Sequence, residues 1–152
     1  MESSDVVNEN KRLVAHFYDE VWNRGNTHVA LEAFADDYVR HDLRPTTAGP
    51  GGAGQRQIAA AFRHAFPDLS FTIDLLVGEG DLVAARWTAS GTHSGQWGDV
   101  AATGRSVRFS GVNFFRLRNG RIVEIWNHRD DLGLREQVGA SVFAGAPPGV
   151  DD

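Results

Sequence analysis

Between Val6 and Arg24 the apolar residues Leu13, Val14, Phe17, Tyr18, Val21 and Trp22 recur at helical spacing. Lys11, Arg12, His16, Asp19 and Glu20 fill the other face, and the pattern predicts an amphipathic helix. Ser3 or Ser4 is a candidate cap and Gly25 a candidate stop. A shorter helix is expected from His28 to Ala35, and a third from Ala53 to Phe66, opened by a Pro-Gly-Gly turn and closed before Pro67. The Gly-, Pro- and Thr-rich stretch from Leu43 to Gly52 reads as a loop placed to cover a pocket mouth.

After Pro67 the period changes from helical to two, so the helices precede most of a sheet and the fold class is α+β. The first strand is expected to carry Phe71, Ile73, Leu75 and Val77 on one face; a turn at Gly78-Glu79-Gly80-Asp81 leads into a second with Val83, Ala85, Trp87 and Ala89. A third runs from about Arg105 to Arg118 with Val107, Phe109, Phe115 and Leu117 on its apolar face. Asn119-Gly120 then predicts a tight hairpin into a fourth, Arg121 to about Arg129. There, Ile122, Glu124, Trp126 and His128 are expected on one face and Val123, Ile125 and Asn127 on the other. One domain over residues 1–144 is expected, with a loosely ordered tail from Gly145 to Asp152.

Three polar residues interrupt these apolar stripes. Asn113 shares parity with Phe109 and Phe115, Asn127 with Val123 and Ile125, and His93 continues the stripe of Trp87 and Ala89. A buried amide without partners costs on the order of 1–3 kcal/mol, so each position reads either as a ligand contact or as a satisfied core group. His41 is a candidate for the pocket mouth. Asp131 reads as the cap of a short helix through Gln137, leaving Asp130 to reach the pocket.

Composition narrows the chemistry. The 152 residues suit one domain, and with no cysteine there is no disulfide, thiolate nucleophile or cysteine-bound metal. Histidines and carboxylates do not fall at metal-ligand spacing, and no dinucleotide, phosphate-loop or nucleophile-elbow motif is present, so neither metal nor cofactor is expected. A net charge of −5 without a basic stripe argues against nucleic acid. No apolar run approaches membrane-spanning length and the start does not resemble a signal peptide, so no membrane partner and a cytoplasmic location are expected. Exposed apolar residues on the outer sheet face, Val112, Phe114 and Trp126, suggest a homodimer or homotetramer.

The segments NKRLVAHFYDEVWNRGN, GTHSGQW and VRFSGVNFFRLRNGRIVEIWNHRDDLGLREQVG together resemble the SnoaL-like polyketide cyclases, within the wider fold of nuclear transport factor 2 and ketosteroid isomerase. The resemblance spans Val6 to Gly139. It implies a cone-shaped α+β barrel, with N-terminal helices packed on a strongly curved, mainly antiparallel sheet, and a fused-ring aromatic polyketide as small-molecule substrate. Family members close a ring by an intramolecular aldol reaction in which an aspartate moves the proton; that aspartate falls on Asn127, and a histidine of the preceding strand falls on Asn113. An amide cannot act as a carboxylate base. The pattern is instead similar to relatives implicated in hydroxylating anthracyclines. On that resemblance Asn127, Asn113 and His93 are the candidate catalytic residues, Trp87, Phe109, Phe115, Trp97, His41 and Asp130 the candidate substrate contacts, and an external reductant supplies electrons. A non-catalytic binding module is the further alternative.

Overall fold

The computed structural model describes residues 2–41 and 49–140. The tail from Gly145 and positions 43–48 of the expected pocket-mouth loop lie outside the described residues.

The N-terminal amphipathic stretch forms α1 (Glu2–Phe17), continued by a wider π-helical segment, Tyr18–Asn23. The helix begins ahead of Ser3 and Ser4, which therefore lie within it and are not its cap. Its end is held by two devices. The Asn23 side-chain amide imitates a strand, donating to the Phe71 carbonyl at 3.1 Å and accepting from the Phe71 N–H at 2.6 Å. The Arg63 guanidinium donates to the carbonyls of Trp22 and Asn23, groups a helix terminus leaves unpaired.

The expected second helix is only one 3-10 turn (Thr27–Val29) and a four-residue α2 (Ala30–Ala33). The chain then extends as a strand the periodicity did not predict, β1 (Phe34–Arg40). It pairs parallel to the last strand at the sheet edge, and its charged Asp36-Asp37 interrupts the apolar alternation that marks a strand. Helix α3 (Gly51–Ala65) follows, with Pro50 as its N-cap residue and both glycines of the expected turn inside it.

Four antiparallel strands complete the sheet: β2 (Ser70–Glu79), β3 (Leu82–Thr92), β4 (Ser106–Arg118) and β5 (Arg121–Arg129), in spatial order β1-β5-β4-β3-β2. The short helix α4 (Asp131–Gln137) ends the described chain. The hairpin joining β4 to β5 turns at Asn119 and Gly120, both with positive φ, as their chemistry favours. Two irregularities change the expected facing. Pairing slips between Ile73 and Leu75, so Phe71 is buried while Leu75 and Val77 are 64% and 60% exposed. A second slip, opposite Arg116 and Leu117, brings Ile122 into the core with Ile125.

The concave face is packed by pairing large side chains with small ones across β3 and β4: Trp87 opposite Gly111, Phe109 opposite Ala89, Asn113 opposite Ala85. A Cβ on Gly111 would lie 2.4 Å from the Trp87 ring and 2.5 Å from the His128 carbonyl oxygen, so only glycine leaves room for the indole. With α1 and α3 lying over this face, the buried side chains form one cluster, and the architecture is an α+β barrel of helices on a mixed five-stranded sheet. No described helix is long and apolar enough to cross a membrane.

Candidate functional site

A cleft opens between the concave sheet face and the helices. It contains about 530 Å³ of space free of protein atoms, its open mouth included. One wall is aromatic: Trp22 lies 5.1 Å from Phe71, Phe71 4.6 Å from Trp87, and Trp87 meets Phe109 edge-on at 5.8 Å. Phe62 of α3 and Phe115 of β4 extend it. Such rings offer flat faces and large apolar area to a planar guest.

The lining also carries amides and guanidinium groups. Asn113 and Asn127 sit directly across from each other on β4 and β5, and Asn113 Nδ2 donates to Asn127 Oδ1 at 2.8 Å. Asn113 Oδ1 accepts from the Tyr18 hydroxyl and from Trp87 Nε1, each at 2.7 Å. Asn113 is 6% exposed and both lone pairs of its oxygen are used, so its polarity is compensated inside the core. Burial pushes the Tyr18 phenol well above its ordinary pKa, which keeps the hydroxyl protonated and donating. Asn127 is less buried, and no described residue bonds its Nδ2.

Arg40 of β1, Gln55 of α3 and Arg129 of β5 complete the polar lining. Among the contacts of Arg129, its Nε donates to Asp131 at 2.5 Å and its guanidinium lies over the Phe62 ring at 4.5 Å. Gln55 donates to the Tyr38 hydroxyl at 3.1 Å. No aspartate, glutamate or histidine lines the cleft among the described residues.

Of the residues singled out by sequence, the structure brings Asn113, Asn127, Trp87, Phe109 and Phe115 together at the cleft. The other four lie elsewhere. His93 is fully buried behind Phe66, its Nδ1 2.9 Å from Thr103 Oγ1 and its Nε2 without a partner. Desolvation holds its pKa below the ordinary histidine value, and this outweighs a raising contact with the Gly95 backbone. Trp97 packs against Phe62 and Phe66 and does not line the cleft. His41 lies on the outer face, stacked on Trp126 and 2.8 Å from Glu124. Asp130, not Asp131, caps α4 by accepting the Gly133 N–H, which corrects the expected division of labour between the two aspartates.

Sequence alternation carried one step past Asn127 reaches Arg129, so this residue was within reach of the pattern. Tyr18 carried no separate signal, since its ring satisfies the helical stripe whatever its hydroxyl does. Arg40 was hidden with its unrecognised strand. Among the described residues no group of three or more histidine, aspartate or glutamate side chains is arranged to hold a metal ion.

Comparison with known proteins agrees with this architecture. No curated protein sequence matches the chain. TsrD from Streptomyces laurentii is similar in structure with a TM-score of 0.78 at 28% identity, over 87% of this chain and 96% of that one. AclR, a proposed hydroxylase from Streptomyces galilaeus, gives 0.76 at 27% identity over 88% and 97%. IdmH, a proposed polyketide cyclase from Streptomyces antibioticus, gives 0.72 at 33% identity over 86% and 98%. The family model described as SnoaL-like polyketide cyclase matches residues 12–138, nearly the whole described domain, and the chain belongs to the SnoaL-like polyketide cyclase family.

Proposed function

We propose that this protein is a tailoring enzyme of aromatic polyketides of the anthracycline type, and that it hydroxylates a fused-ring quinone without a bound cofactor. The observation that carries the reading is the composition of the cleft: aromatic walls, an amide pair and two arginines, with no carboxylate or imidazole among the described lining residues. A site built this way holds a flat, oxygen-bearing guest and stabilises negative charge on it, but its described residues supply no side chain of ordinary general-base character.

The chemistry then resides in the substrate. An external reductant converts the quinone to its hydroquinone before the oxygen reaction. The ionised ring reacts with oxygen at carbon, one oxygen atom stays as the new hydroxyl, and the other leaves as water as the ring returns to the quinone. Two electrons from the hydroquinone and two from the C–H bond balance the four that dioxygen takes. Asn127 Nδ2 donates to the oxygen on which charge develops, and Trp87, Phe109 and Phe115 hold the rings. The exposed apolar face around Phe114, which is 44% exposed, supports assembly as a homodimer or homotetramer.

The family model favours a second reading, intramolecular aldol cyclisation. It requires a base, and neither His93 nor Asp130 lines the cleft, while His128 is exposed. The two readings separate in one experiment. Enzyme-dependent oxygen uptake with a chemically reduced anthraquinone supports hydroxylation; ring closure of an open-chain ester in the absence of oxygen supports cyclisation. A ligand that binds and is converted in neither assay identifies a binding module.

A further inference from the structure

An asparagine side chain is nearly symmetric in shape and opposite in chemistry at its two ends, so its role depends on which end faces the ligand. Here the direction follows from a residue that cannot be read two ways. An indole N–H only donates, and Trp87 Nε1 lies 2.7 Å from Asn113, so the Asn113 atom it meets is the oxygen. The Tyr18 hydroxyl meets the same atom. The other end of Asn113 is therefore its NH₂ group, and the Asn127 atom 2.8 Å away is again an oxygen. Asn127 is left with its own NH₂ group as the end not engaged by Asn113.

We propose that Tyr18 and Trp87 are positioning residues that act through Asn113 to hold Asn127 as a donor, so that the cleft favours a carbonyl or phenolate oxygen, the stronger acceptor, over a hydroxyl at that point. This rests on the reading of the cleft as the site of a flat oxygenated ligand, not on the reaction performed there. The π-helical segment begins at Tyr18, where α1 gives way to a wider turn. The anchors thus come from two separate elements, α1's continuation and β3, and converge on one oxygen.

The test is the affinity ratio of two tricyclic probes that differ at one position, a carbonyl in fluorenone and a secondary alcohol in fluorenol, measured by quenching of tryptophan fluorescence. Wild type should bind fluorenone more tightly than fluorenol. Asn127→Asp places a carboxylate oxygen in the cleft, so fluorenone should weaken about tenfold or more while fluorenol, which can donate, is retained. Tyr18→Phe removes one of two anchors and should narrow the fluorenone advantage; Asn127→Leu, which removes the donor without adding charge, should erase it. A merely structural Tyr18 would weaken both probes equally and leave the ratio unchanged. An unchanged ratio in Tyr18→Phe, Asn127→Asp or Asn127→Leu, or failure of wild type to bind either probe, overturns the proposal. Because no oxygen reaction is measured, a preserved ratio alongside absent hydroxylation would sink the reaction assignment and leave the donor assignment standing.

Discussion

Asn113 and Asn127 face each other across β4 and β5, and the first donates to the second at 2.8 Å while its own oxygen is saturated by Tyr18 and Trp87. One amide is thus consumed in orienting the other. The two asparagines that looked equivalent by strand parity differ in their bonding: the inner one has its oxygen saturated, and the outer one keeps its NH₂ group unengaged by it.

Removing the inner amide should be expensive. Asn113→Leu leaves the Tyr18 hydroxyl and the Trp87 indole N–H without their acceptor in the core, at about 1–3 kcal/mol for each orphaned group. Denaturant unfolding should show a correspondingly lowered stability. Asn127→Leu, at a less buried position that loses one bond, should be the milder change by the same measurement.

Gly111 is the second structural requirement of the cleft. Gly111→Ala places a methyl group within 2.4 Å of the Trp87 ring and 2.5 Å of the His128 carbonyl, and the latter is backbone that cannot swing aside. A loss of about 1–3 kcal/mol is expected, with a change in near-ultraviolet dichroism as the indole shifts. A variant with wild-type stability and spectrum would show that the strands yield without moving Trp87.

His93 makes stability depend on pH. Its folded pKa is depressed, chiefly by desolvation, so the unfolded chain binds the proton more readily. The contribution is therefore complete above the ordinary value near 6.5 and is lost as pH falls from there toward the folded pKa. The unfolding midpoint should fall between about pH 7 and about pH 5, and His93→Leu should show a smaller fall over the same interval. Equal slopes in the two proteins would mean that other groups set the acid response.

Much of this was legible in the sequence because β3, β4 and β5 alternate strictly where the cleft is built. Trp87, Phe109, Phe115, Asn113 and Asn127 reach the cavity by parity alone. Asn119-Gly120 fixed the hairpin, but its register alone would pair Asn113 with Trp126, and the slip opposite Arg116–Leu117 is what sets Asn113 opposite Asn127. What was not legible has physical causes. The slips at Ile73–Leu75 and opposite Arg116–Leu117 break parity without a composition signal, reversing the facing of Leu75, Val77 and Ile122. The strand β1 was masked by its acidic residues, and with it the outward position of His41 and the inward one of Arg40. His93 does continue the β3 stripe into the interior, but the interior there is the packed region behind Phe66, not the cleft. Parity gives a face; it does not say which part of that face a ligand can reach.

Asn127→Asp is expected to lower oxygenation. It restores the residue type that the cyclase resemblance places at this position, but an anionic oxygen there repels the charge developing on the substrate. Steady-state oxygen uptake should drop by about tenfold or more, and unchanged turnover would remove the amide from the reaction.

The most direct measurement of the central claim is mass analysis of product formed by purified, metal-stripped protein from a chemically reduced anthraquinone under isotopically heavy oxygen gas, in parallel with Asn127→Ala. Hydroxylation in this cleft gives a product carrying one heavy oxygen atom, formed by wild type and diminished in the variant. Product that is unlabelled, or labelled equally with and without the protein, would contradict it.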